Sequence, residues 1–123
     1  MGLDDKLLAW YSKDMDSDFE QFITSIVSNY KPEKVLLFGS RAWGKPEAGS
    51  DYDVLVMLNT DSKNARKEAV SILENHHPGT IAIDLMVKKP EYINKMIQMG
   101  DPFTKKILEK GKLLYERDSQ KMD

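Results

Sequence analysis

The sequence predicts a mixed α/β fold: a small mixed β-sheet backed by helices, in a single domain that spans residues 1–123. Three observations support this prediction. Short unbroken apolar runs, typical of strands buried on both faces, alternate with amphipathic stretches at helical spacing. The length of 123 residues suits one hydrophobic core. Gly and Pro residues separate the segments, and no internal repeat interrupts them.

Two helices are predicted before the first strand. Residues 3–13 place Leu and Tyr side chains near helical spacing. In the second helix, the apolar residues that begin with Phe19 fall at i, i+3, i+4, i+7, i+8 and i+11, which forms one apolar face. Ser17 and Glu20 form a capping box that marks its start, and Pro32 ends it.

Four short apolar runs are predicted strands. They cover residues 35–38, 53–58, 81–87 and 112–115, and we expect the last to lie at an edge of the sheet. Residues 39–52 join the first two strands, and their number is marginal for a parallel crossover.

Three helices are predicted among the later strands. The first carries the apolar residues between Ala65 and Leu73, the second runs from Pro90 to Met99, and the third is capped by Asp101 and closed by Gly111. His76-His77 precedes Pro-Gly at the end of the first of these helices. Adjacent histidines point apart on a helix, so we interpret them as a helix stop rather than as a metal-binding pair.

Composition excludes several classes of function. Lys and Arg number 18 against 20 Asp and Glu, a net charge of −2, so we expect no direct nucleic-acid binding. The absence of Cys excludes disulfides and thiolate metal sites and fits a cytoplasmic protein. The acidic start is unlike a signal peptide, and no apolar run approaches the roughly 18 residues that a membrane helix needs, so no membrane association is expected.

The connection after the first strand has the composition of a phosphate-binding turn. Gly39 lets the main chain come close to a ligand, Ser40 offers a hydroxyl donor, and Arg41 offers a guanidinium fork. A helix that starts here also presents unpaired backbone N–H groups, which favour anions. A tight turn with an ordinary helix cap uses the same residue types, so this motif alone leaves both interpretations open.

Three acidic residues suggest a metal site near this turn. Asp51 and Asp53 lie two apart at the start of a strand, so both side chains point to one face, and Asp84 interrupts a third apolar strand. Gathered carboxylates repel one another and raise their pKa values, and a hard cation such as Mg²⁺ relieves this repulsion. The alternatives are a turn residue for Asp51, a strand-entry cap for Asp53 and an edge-strand charge for Asp84.

The aromatic residues and methionines of this region admit two interpretations. Trp43 and Tyr52 are either core residues, which we favour, or walls of a base-binding pocket. The seven Met residues fill gaps in the core or face a partner.

The spacing of these residues resembles a known family signature. Gly39-Ser40, ten intervening residues and Asp51-x-Asp53, followed by Asp84 in a later strand, resemble the nucleotidyltransferase superfamily that includes DNA polymerase beta and the aminoglycoside nucleotidyltransferases. Most of the chain is similar to the minimal nucleotidyltransferases, or MNT proteins. The resemblance implies a polymerase beta palm-like fold without the helical substrate domain of larger relatives.

The resemblance also implies a reaction and a partner. Two Mg²⁺ ions would assist transfer of a nucleoside monophosphate, AMP from ATP, to an acceptor hydroxyl. Asp51 and Asp53 would bridge both metals, Asp84 would bind the metal that activates the acceptor, and Gly39, Ser40 and Arg41 would hold the phosphates. For MNT proteins the implied acceptor is a tyrosine of a HEPN-domain toxin, which the transferase neutralises as its antitoxin.

Two other functions remain open at this point. One is nucleotidyl transfer to a small molecule such as an aminoglycoside. The other is a non-catalytic subunit that covers its partner and keeps the metal site as a nucleotide sensor.

Overall fold

Four strands form one mixed sheet in the computed structural model, which describes residues 17–45, 50–60, 64–76, 79 and 81–117. The elements along this part of the chain are α1 (Ser17–Tyr30), β1 (Lys34–Phe38), α2 (Ser40–Trp43), β2 (Tyr52–Met57), α3 (Ala65–Asn75), β3 (Ile83–Lys88), α4 (Pro90–Gln98), α5 (Pro102–Lys110) and β4 (Lys112–Glu116). The mixed α/β prediction is therefore confirmed, while the predicted helix over residues 3–13 lies outside the described residues.

The strand order in the sheet is β3-β2-β1-β4. β1 pairs antiparallel with both β2 and β4, and β2 pairs parallel with β3. The short connection between the first two strands thus makes an antiparallel turn, and β4 lies at an edge as predicted. The predicted start of the third strand at residue 81 is wrong, because its partner β2 begins at Tyr52 and pairs there with Ile83.

Helices cover both faces of the sheet. The larger apolar cluster joins α1 and α3 to one face, where Phe19, Ile23 and Ile72 are fully buried. The smaller cluster joins α4 and α5 to the other face through Ile93 and Ile107. The central strands are therefore buried on both faces, which is why their sequences are continuous apolar runs.

Side-chain caps begin two of the helices, and the cap at Asp101 confirms a prediction. The Asp101 carboxylate accepts hydrogen bonds from the Thr104 backbone N–H at 2.9 Å and from its hydroxyl at 2.6 Å, which starts α5. The Asn64 side chain accepts from the Lys67 N–H at 3.1 Å and starts α3. His76 is the C-cap of α3 and lies 3.2 Å from the Tyr30 hydroxyl, so it has the structural role that we predicted.

None of the helices in the described ranges combines the length and the apolar character that crossing a bilayer requires.

Candidate active site

Pairing of the strands brings two distant acidic residues side by side. Asp53 is directly opposite Phe38 across the β1–β2 pair and directly opposite Asp84 across the β2–β3 pair. Directly paired residues point to the same side of a sheet, so these three side chains form one row on the α4–α5 face. The row lies where β1 ends and where β2 and β3 begin, beside the turn that starts at Gly39.

The acidic residues of the row interact electrostatically. Partial burial, the negative charges of Asp84 and Asp51 and a side-chain hydrogen bond with Asp84 all raise the pKa of the Asp53 carboxyl. The two ion pairs recorded among the described residues, Lys34 with Glu116 and Arg117 with Glu33, both lie at the opposite end of β1. A cation beside Asp53 and Asp84 would relieve this repulsion, so the donor set fits a hard divalent metal.

The expected convergence of three carboxylates is only partly present. No cluster of three Asp, Glu or His side chains suited to a metal ion occurs within the described residues. Asp53 and Asp84 are in contact, whereas Asp51 precedes β2, is exposed and acts on Asp53 through its charge. Asp84 is also exposed, and it is the second residue of the edge strand β3 rather than an interruption in the middle of a buried strand. Its place on an edge agrees with the edge-strand alternative, but its pairing puts it beside Asp53.

Gly39 is required by two independent features of this site. Its φ of 77° and ψ of −157° belong to a backbone region that side-chain-bearing residues avoid. A Cβ at this position would overlap the Asp53 Oδ2 atom and lie 3.0 Å from its Cγ. The bare main chain of residue 39 therefore lies directly against the Asp53 carboxylate, which brings the turn and the acidic row together.

The turn after Gly39 is held by its own backbone. The Gly39 carbonyl accepts hydrogen bonds from the N–H groups of Ala42 at 2.9 Å and Trp43 at 3.0 Å. Ser40 is exposed at the start of this helical turn. Ser40 is therefore accessible to a ligand from solvent.

Arg41 connects the two ends of the segment between β1 and β2. Its Nε–H donates to the Ser50 carbonyl at 3.0 Å, and its guanidinium carbon lies 4.1 Å from the centre of the Tyr52 ring. Tyr52 in turn stacks on Phe19 of α1 with ring centres 4.1 Å apart. Arg41 therefore positions the residues on both sides of Asp51, and Tyr52 is a core residue, as we favoured.

Helix α5 borders the site through two contacts that sequence reasoning missed. The ring of Phe103 meets Phe38 edge to face at 5.7 Å, and the Lys106 Nζ atom lies 4.8 Å from the centre of the Trp43 ring. Trp43 is half-buried against the smaller apolar cluster, which supports its assignment to the core. No local sequence signal relates α5 to the turn, since the two are far apart in the chain and meet only through packing.

Comparison with known proteins identifies relatives of this arrangement. The family model described as Polymerase beta, Nucleotidyltransferase matches residues 21–120, which include the turn at Gly39 and the acidic residues Asp51, Asp53 and Asp84. A protein of Methanocaldococcus jannaschii named as a putative protein adenylyltransferase is 29% identical over 98 residues, which cover 78% of this chain and 93% of that relative.

Proposed function

This chain belongs to the polymerase beta nucleotidyltransferase family, and from this membership we propose that it moves AMP from ATP to a hydroxyl group of a protein. The proposed acceptor is a tyrosine of a HEPN-domain toxin, which would make the chain an antitoxin. The observation that carries the proposal is the contact between Asp53 and Asp84 beside the bare main chain of Gly39. The name of the archaeal relative supports a protein as the class of acceptor.

The acidic pair is the proposed metal-binding part of the site. Asp53 and Asp84 would hold Mg²⁺, with Asp51, just before β2, as the additional carboxylate. Two bound Mg²⁺ ions, as in other two-metal sites, would stabilise negative charge on the attacking and leaving oxygens. The raised pKa of Asp53 supports this role, because the repulsion that causes it is the kind that a cation removes.

The turn is the proposed phosphate-binding part of the site. Gly39 carries no side chain of its own at the start of α2, and the exposed Ser40 residue offers a hydroxyl donor to a phosphate. The terminal nitrogens of Arg41 are a further proposed phosphate contact, while its Nε–H stays on Ser50. These groups would orient the α-phosphorus for in-line attack.

The proposed transfer exchanges one bond to the α-phosphorus for another. The acceptor hydroxyl oxygen bonds to the α-phosphorus, and the bond from the α-phosphorus to its bridging oxygen breaks. Pyrophosphate leaves with that oxygen and its electron pair. The hydroxyl proton moves to a carboxylate oxygen of Asp84, which is exposed and so accessible to an acceptor.

Transfer of label from ATP tests the proposal. The protein is incubated with Mg²⁺, ATP labelled at the α-phosphate and a HEPN-domain protein, and covalent label on the acceptor is measured. We expect transfer by the unchanged chain and a loss of about 100-fold or more in Asp53→Asn and Asp84→Asn, because each removes a charge at the reacting centre. Glu74→Gln, an exposed substitution on α3, is the matched control and should leave the rate unchanged.

Three outcomes would contradict parts of this proposal. Transfer that persists in Asp53→Asn would reject the assigned site. Transfer to an aminoglycoside but to no protein would reject the acceptor class. Neutralisation of a toxin by the Asp53→Asn protein without any transfer would show a non-catalytic binding subunit.

A further inference from the structure

Helix α5 brings a positive charge to the border of the candidate site, next to the turn that follows β1. Phe103, Lys106 and Lys110 follow one another at i, i+3 and i+7, so they share one stripe of the helix. The contacts of Phe103 with Phe38 and of Lys106 with Trp43 show that this stripe faces the end of β1 and the turn that follows it. Phe38 is the neighbour of Asp53 in the sheet, so the stripe borders the acidic row itself.

The Lys106 ammonium group lies close to the phosphate-binding turn. Ser40 and Trp43 are three residues apart in α2, so their side chains are neighbours on one face of that helical turn. The Lys106 ammonium group lies 4.8 Å from the Trp43 ring centre, and the Trp43 N–H closes the turn by donating to the Gly39 carbonyl at 3.0 Å. Among the described residues, no carboxylate lies within ion-pair distance of Lys106.

The charge distribution of the site calls for a cation at this place. Asp51, Asp53 and Asp84 concentrate negative charge on one side, and Arg41 is committed in part to Ser50 and Tyr52. A triphosphate carries most of its charge on the two phosphates that leave together. A lysine, as a compact charge with three donors, suits such phosphates.

We propose that Lys106 binds the β- and γ-phosphates of the nucleotide and stabilises the pyrophosphate as it leaves. This inference rests on the proposed function and adds a second wall to its site: the turn at Gly39 and Ser40 on one side and α5 on the other. The face of the Trp43 ring holds the Lys106 ammonium group in place before the nucleotide arrives. This pre-organisation lowers the entropic cost of binding. Phe103, although 49% exposed, anchors this end of α5 through its contact with Phe38.

A purely structural role for Lys106 predicts a different result from a phosphate-binding role. If its contact with Trp43 only holds α5 against α2, removal of the charge lowers stability and affects all ligands alike. If it binds the leaving phosphates, removal of the charge weakens triphosphate binding specifically. Lys106→Met separates the two, because Met keeps an unbranched stem that packs on Trp43 and lacks the ammonium group.

The experiment measures binding and transfer in four forms of the full chain: unchanged, Lys106→Met, Lys106→Arg and Lys105→Met. Lys105 is an exposed lysine on another side of the same helix, so Lys105→Met controls for the loss of one positive charge. Titration calorimetry with Mg²⁺ gives the Kd for a non-hydrolysable ATP analogue and for AMP. Thermal unfolding gives the stability of each form.

We expect Lys106→Met to raise the Kd of the triphosphate analogue about tenfold, the effect of losing one hydrogen bond to a charged group. The Kd of AMP and the unfolding temperature should stay close to those of the unchanged chain. Lys106→Arg should restore triphosphate binding to within about threefold, because Arg also binds phosphate and stacks on aromatic rings. Lys105→Met should bind like the unchanged chain.

An equal loss in the Lys105 and Lys106 variants, an equal loss of AMP and triphosphate binding, or no loss at all would overturn the proposal for Lys106 while leaving the proposed function intact. If the unchanged chain neither binds the triphosphate analogue nor transfers label, the proposed function itself fails, and the role of Lys106 fails with it.

Discussion

Substitution of Gly39 by Ala probes the link between the turn and the acidic row. The added methyl group would overlap the Oδ2 atom of Asp53 and lie 3.3 Å from its Cβ, so the Asp53 side chain must turn away. The backbone is also unfavourable for Ala, since φ at residue 39 is 77°. Two costs therefore arise: strain in the backbone and displacement of a carboxylate.

The two costs differ in size and in consequence. Placing Ala at such a backbone conformation costs about 1–3 kcal/mol. For a domain of this size each kcal/mol lowers the unfolding temperature by about 4 °C, so strain alone predicts a loss of roughly 4–12 °C. Displacement of Asp53 by about 1 Å is enough to slow a positioned reaction about 100-fold.

Gly100 provides a matched control for the cost of backbone strain. Its φ is 79°, nearly that of Gly39, but no atom lies within 4 Å of the position that its Cβ would occupy. Gly100→Ala should therefore lower the unfolding temperature by a comparable amount and leave nucleotidyl transfer unchanged. The assay is thermal unfolding of both variants together with the transfer of label from ATP to the acceptor.

A Gly39→Ala protein that transfers label at the rate of the Gly100→Ala protein would refute the reasoning. That result would mean that Asp53 reaches its working position without the bare main chain of residue 39. Equal stability of Gly39→Ala and the unchanged chain would refute the backbone argument separately.

Three further predictions concern stability. The pKa of Asp53 is raised, so the folded protein keeps its proton to higher pH than the unfolded chain and loses stability as pH rises through that range. Asp53→Asn should flatten this pH dependence in metal-free thermal unfolding and stabilise the protein at neutral pH by at most about 1 kcal/mol, because solvent screens the half-exposed group. A steeper pH dependence would contradict the cause given for the shift. Arg41→Ala should lower the free energy of unfolding in urea by about 1–2 kcal/mol, through loss of its hydrogen bond and its contact with Tyr52. Recovery of full stability by Arg41→Lys would contradict the need for a planar guanidinium. Ile107→Ala should cost about 2–5 kcal/mol because this side chain is fully buried, whereas Leu108→Ala, at 36% exposure, should cost less than about 1 kcal/mol; similar losses measured in urea would contradict the assigned face of α5.

Much of the fold could be predicted because its signals are local. The apolar spacing that starts at Phe19 identifies α1, and Asp101 begins α5 by accepting from the backbone N–H three residues ahead. The apolar runs of β1 and β2 are continuous because helices cover both faces of the sheet. The start of β3 was less predictable, because it depends on where the partner strand begins.

Residue type and spacing suggested which residues form the site, but they did not predict which of these residues are in contact. The pair Asp51 and Asp53 looks equivalent in the sequence, yet only Asp53 lies in the strand ladder beside Asp84. The guanidinium group of Arg41 is a typical phosphate ligand, and its contacts with Ser50 and Tyr52 show a positioning role as well.

The order of the helices and strands, and the residue types beside the first turn, can be recognised in the sequence. Helical periodicity, caps and glycine turns depend on residues within a few positions of one another, so local sequence is enough to identify them. The pairing of Asp84 with Asp53 and the contact of Lys106 with Trp43 arise only when the chain is folded. Strand register and helix docking join residues distant in the chain, and they are selected by the free energy of burying the whole core rather than by any local preference.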